Sequence, residues 1–84
     1  MKANAIVRLK LPSKKELEIA YWALMPETAK PATIRSKADL KIEGASLVLA
    51  IEAKDTVALR AALNAYLRWI SAIFSVLSLL DKLS

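Results

Sequence analysis

Few residues in this 84-residue chain could do covalent or acid–base chemistry. There is no cysteine and no histidine. That removes a thiol nucleophile, a disulfide framework, an imidazole base and the usual structural zinc site. Serines remain, but no base stands ready to activate one. The acidic pairs Glu16/Glu18 and Glu43/Glu52 are the available acid–base dyads. They fall within helical and alternating charge patterns, and they read as solvated faces of a helix and of strands. The single glycine, Gly44, cannot build a phosphate-binding loop or the GxxG clamp of a KH domain. These residue types point away from catalysis by this chain alone, and no cofactor or metal is expected.

Charge offers a second kind of chemistry. The formal net charge is +5, and it is unevenly placed. Residues 1–41 carry nine Lys/Arg against four acids, whereas residues 42–84 carry four against four. A basic half can meet phosphates through Lys/Arg on one face, or it can simply keep the chain soluble. The candidates for nucleic-acid contact are Arg8, Lys10, Lys37 and Lys41, which share one strand face with Asp39, Glu43 and Glu52. Mixed signs limit that face to a few phosphate contacts within a larger assembly.

Apolar residues make up 56% of the chain, more than the usual 45–50%. A single domain of this size buries only about 60% of its unfolded surface. A partner or a membrane should therefore take the surplus. The early charges Arg8, Lys10, Lys14 and Lys15 interrupt any signal-peptide core. Near the C-terminus the longest uncharged stretch is Trp69–Leu80, twelve residues. As helix it spans about 18 Å, against a hydrocarbon core of about 30 Å. A tail anchor would have to swallow Arg68 as well, so no membrane is expected.

The elements that must position these residues follow from periodicity. Residues 4–11 alternate, with Ala5, Val7, Leu9 and Leu11 on one face, which predicts a half-buried strand ended by Pro12. Ser13-Lys14-Lys15-Glu16 reads as a capping box opening a helix that carries Leu17, Ala20, Tyr21 and Leu24 on one face. Pro26 is expected to stop that helix, leaving a loop from Glu27 to Thr33. Two alternating strands then flank Gly44-Ala45. A two-residue turn there sets Ile42 opposite Leu47, Leu40 opposite Leu49, Ala38 opposite Ile51 and Lys37 opposite Glu52. Asp55 or Thr56 should cap a last helix over about residues 56 to 82. Its polar residues, Arg60, Asn64, Arg68, Ser71, Ser75, Ser78 and Lys82, trace one narrow stripe.

The order β-α-β-β-α predicts an α+β fold: a three-stranded antiparallel sheet, third strand central, with both helices on one face. The last helix is then longer than the sheet. Ile70, Ile73, Phe74, Val76, Leu77, Leu79 and Leu80 are expected to overhang as an interface.

At "DTVALRAALNAYLRW" (Asp55–Trp69), preceded by "KIEGASLVLAIEAKD", the chain resembles the Pcc-type small subunit of the KEOPS complex, a family related to the cancer/testis antigens. The likeness runs over nearly the whole chain, from "VRLKLPSKKELEIAYWALMPE" through Arg35-Ser36 to the long helix, and Ser71–Ser84 is too generic to add to it. Ala65 departs from the serine that members often carry after the asparagine. The resemblance implies one domain over residues 1–84 and a non-catalytic, cytoplasmic scaffold. Such a subunit binds the threonylcarbamoyl transferase through its helices and meets tRNA indirectly. It forms a homodimer, or a heterodimer with a related small subunit. Together with the overhang, it nominates Trp22, Asn64, Trp69, Ile70, Ile73, Phe74, Leu77 and Leu80 as partner-facing. A stand-alone small basic RNA-binding module is the alternative.

Overall fold

The structure, a computed structural model, describes residues 2–29 and 36–83. Five elements follow one another: β1 (Ala3–Lys10), α1 (Lys14–Ala29), β2 (Ser36–Glu43), β3 (Ser46–Ala53) and α2 (Thr56–Leu83). The sheet order is β1-β3-β2, with both pairings antiparallel. The fold is therefore α+β, as the sequence predicts. The hairpin register also agrees, with Ile42 opposite Leu47, Leu40 opposite Leu49, Ala38 opposite Ile51 and Lys37 opposite Glu52. Gly44 makes the turn at φ +59°, a conformation that costs a residue with a Cβ but not glycine.

One face of the sheet is the core face. Leu40, Leu47, Leu49 and Ile51 are buried there, together with Leu17, Ala20 and Leu24 of α1 and Ala62, Tyr66 and Ile70 of α2. β1 is half-buried on alternate residues. Leu11, expected to end the strand, lies just beyond it; its amide donates to the Ala45 carbonyl at 3.3 Å and its side chain is buried.

Both helix starts are capped by side chains. The Glu16 amide donates to Ser13 Oγ at 3.1 Å, and the Ser13 hydroxyl donates to Glu16 Oε2 at 3.1 Å. The glutamate thus accepts from the cap's hydroxyl. At α2 the cap is Asp55, whose Oδ1 accepts from the Ala58 amide at 2.8 Å.

Pro26 does not end α1, which runs on to Ala29. Proline removes one helical bond, the one to the Trp22 carbonyl four residues back. Both Trp22 and Pro26 are exposed, so the break falls on the solvent side of the helix. The last turn is held in other ways. Thr28 Oγ1 donates to the Met25 carbonyl at 2.9 Å, and the Tyr66 hydroxyl donates to the Glu27 carbonyl at 3.4 Å. Of the expected loop, Glu27–Ala29 is helix, and residues 30–33 lie outside the described residues, as does Arg35.

Candidate functional site

α2 leaves the Ala53 end of β3 and returns along the core face. Its 28 residues give a helix of about 42 Å, against about 27 Å for an eight-residue strand. The long axis of the molecule, 47 Å, reflects this mismatch. Its buried line is Ala58, Ala62, Tyr66, Ile70 and Leu77, with Ile73 half-buried. The polar stripe Arg60, Asn64, Arg68, Ser71, Ser75, Ser78 and Lys82 is exposed throughout.

Two expectations about the overhang are corrected here. Ile70 is 6% exposed and Leu77 4% exposed, so both belong to the chain's own core. They share a cluster with Leu11 and Leu17. The bend after β1 and the first turns of α1 extend the core past the end of the sheet, an extension that counting strand lengths misses. What stays uncovered on the overhanging turns is Phe74, Val76, Leu79 and Leu80, joined by Trp69 and Leu67 one or two turns earlier.

At 100° per residue these side chains fall on two flanks of the buried line. Trp69, Val76, Leu79 and Leu80 lie on one flank, with the small Ala61, Ala65 and Ala72 among them. Leu67 and Phe74 lie on the other. Leu67 was not singled out from the sequence, although it lies outside both the polar stripe and the core spacing. Asn64 faces solvent and makes no side-chain hydrogen bond among the described residues. Trp22 stands away from the core on α1 at 70% exposure, its ring edge-on to Tyr21 with centroids 5.5 Å apart.

The opposite sheet face has a different character. Arg8 Nη1 lies 3.8 Å and Lys41 Nζ 3.4 Å from Glu43 Oε2. Lys2 Nζ lies 3.5 Å and Lys37 Nζ 3.6 Å from Glu52 Oε1. Of the four cations expected to touch nucleic acid, only Lys10 has no acidic side chain within 4.0 Å among the described residues. Val48 on this face is only 2% exposed, because its register partners Arg8 and Lys41 flank it from both sides. Ile6 does stand exposed, beside a shallow trough of about 520 Å³ over Ala50. Among the described residues no cluster of three or more acids could hold a metal ion.

These surfaces define a small α+β domain of a particular kind: one sheet face closed by its own ion pairs, and one helix face left apolar toward solvent. Its family follows from comparison. The chain matches the family described as Transcription factor Pcc1 over residues 4–78, and it belongs to that family. It is 35% identical over 71 residues to the KEOPS complex subunit Pcc1 of Pyrococcus abyssi (strain GE5 / Orsay), covering 84% of this chain and 87% of that protein.

Proposed function

We propose that this chain is a non-catalytic scaffold subunit of a KEOPS complex, working in the cytoplasm. It docks on the threonylcarbamoyl transferase subunit through its helices and supports threonylcarbamoyladenosine formation in tRNA. The observation that carries the reading is the uncovered apolar surface of α2, from Trp69 to Leu80, on a chain of the Pcc1 family. Exposed apolar area of this extent is costly in water and is stabilised when a partner covers it. The helix is also long and apolar enough over Thr56–Leu80 to cross a bilayer by length and composition, with mean hydropathy 1.4. Its inner line is already packed on the sheet, however, and Arg60 and Arg68 lie on its outer side. Both features favour a protein partner over lipid.

The scaffold acts as a dimer, either of two copies or with a related small subunit, so that two transferases can be bridged. Contact with tRNA runs through the assembled complex. Ion pairing of Arg8, Lys37 and Lys41 with glutamates speaks against the alternative of a stand-alone RNA-binding module.

Co-purification with the transferase subunit tests this reading. Phe74→Asp with Leu80→Asp should abolish it while leaving the circular dichroism spectrum unchanged. Undiminished binding by that variant would remove the helix face from the interface. Leu77 is unsuitable for the test, because a carboxylate at that buried site would unfold the chain.

A further inference from the structure

The register sorts the outer face of the sheet into rows. Asn4, Glu52 and Lys37 form one row, Ile6, Ala50 and Asp39 the next, and Arg8, Val48 and Lys41 a third. Ion pairing draws the cations away from the middle row. Lys2 and Lys37 lie beside Glu52, and Arg8 and Lys41 lie beside Glu43. Each group joins two cations to one carboxylate, so each keeps one net positive charge. The middle row has only the methyl of Ala50 at its centre, and the trough of about 520 Å³ opens there. That volume lies within the range of about 300–1,000 Å³ usual for ligand sites. Its two walls differ in kind. Ile6, on β1, is apolar and 63% exposed. Asp39, on β2, is exposed and has no cation within 4.0 Å and no side-chain hydrogen bond among the described residues. Two strand spacings, roughly 10 Å, separate the walls.

We propose that this trough binds a guanine nucleotide, its base flat over Ala50 and its Watson–Crick edge toward Asp39. A carboxylate is an acceptor only. Guanine offers it two parallel donors, N1–H and the 2-amino group, in charge-assisted hydrogen bonds. Its O6 acceptor meets Lys37, which lines the same trough two residues along the strand. Lys37 has three N–H donors and shares only Glu52. Adenine places a lone pair, at N1, where Asp39 needs a donor. The ribose then lies over Ile6, and the phosphate reaches the β1 edge, where Lys2 and Arg8 belong to the two net-positive groups. A cationic side chain from a partner protein is the less suitable occupant, because a net-positive group stands on each side of the trough. An unpaired guanine in single-stranded RNA presents the same edge as the free nucleotide. The site is on the face opposite to α2, so it stands or falls apart from the docking reading.

The experiment titrates the full chain with GMP, AMP and the RNA trinucleotides UGU and UAU, each to about 5 mM, and follows backbone amide NMR shifts. The guanine ligands should move the amides of Ile6, Ala50 and Asp39 and leave those of α2 in place. Their adenine counterparts should bind about tenfold or more weaker. Asp39→Asn turns one acceptor oxygen into a donor and should erase the preference for guanine. Ala50→Leu should fill the trough and abolish binding, with circular dichroism confirming the fold. If Ala50→Leu fails to fold, Asp39→Asn decides by itself. Tighter binding of UGU than of GMP would assign the site to single-stranded RNA, and equal binding to the free nucleotide. Equal affinity for guanine and adenine, shifts confined to other surfaces, or an unchanged preference in Asp39→Asn would overturn the proposal. So would silence with all four ligands. Loss of transferase co-purification in Asp39→Asn without nucleotide binding would assign the trough to a protein partner instead, and the proposal would fail.

Discussion

Single residues set where each helix begins, and they do so through hydrogen bonds that can be removed one at a time. Asp55 satisfies the Ala58 amide at 2.8 Å, one of the four donors that an α-helix leaves unpaired at its start. Asp55→Ala should cost about 1 kcal/mol, read as a lower denaturation midpoint with an unchanged slope. Pro26 works in the opposite sense. Its ring interrupts the ladder of α1, at a cost of up to about 3 kcal/mol for an interior position. The entropy it removes from the unfolded chain returns only about 0.4–1 kcal/mol. The broken ladder outweighs that entropy, so Pro26→Ala should raise the melting temperature. Pro26 also shows where local preference misled: proline usually stops a helix, but here the Thr28 and Tyr66 hydroxyls hold the turn that follows. The second of these bonds comes from 39 residues away along the chain, so no local rule could have supplied it.

Elements are governed by which face is covered, and α2 contains both cases within one turn. Ile70 is buried and Phe74, four residues on, is exposed. Ile70→Ala should therefore cost about 2–5 kcal/mol of stability, as large-to-small changes in cores do. Phe74→Ala should change stability by no more than about 0.5 kcal/mol and yet weaken partner binding. Thermal denaturation and a pull-down on the same two proteins check the pair. A stability loss at Phe74 equal to that at Ile70 would mean that the uncovered flank packs within the chain. The polar stripe and the hairpin register were legible in the sequence because each is a period that one element imposes on itself. The burial of Ile70 and Leu77 was not, because the cluster they join is assembled from residues far away in the chain, Leu11, Leu17 and Leu49 among them.

At the scale of the whole molecule, the two sides differ in how they meet water. The ion pairs of the sheet face join side chains that are all at least 41% exposed. Such pairs contribute about 0–1 kcal/mol each. Glu52→Gln, which removes the charge facing both Lys2 and Lys37, should therefore leave stability nearly unchanged while raising the net positive charge. The helical side, by contrast, should not remain uncovered. Light scattering on the purified chain is expected to give twice the 9.2 kDa of one chain, with a larger complex on adding the transferase subunit. The chain should stay soluble without detergent, and a need for detergent would revive the membrane-spanning reading of α2.

The sequence by itself determined the order of elements, the antiparallel hairpin register, the helix starts and the shortage of catalytic side chains. Each of these follows from neighbours within a few residues or from composition, where backbone geometry and side-chain periodicity act directly. Tertiary structure alone decided that α1 passes Pro26, that Val48 is covered by its flanking strands, and that Ile70 and Leu77 belong to the core rather than to the exposed apolar flanks of α2. It also decided that Lys2, Arg8, Lys37 and Lys41 of the sheet face lie beside glutamates, whereas among the described residues Lys10, Arg60 and Arg68 do not. Both kinds of outcome depend on distances between segments far apart in the chain, and a one-dimensional pattern carries no information about such distances.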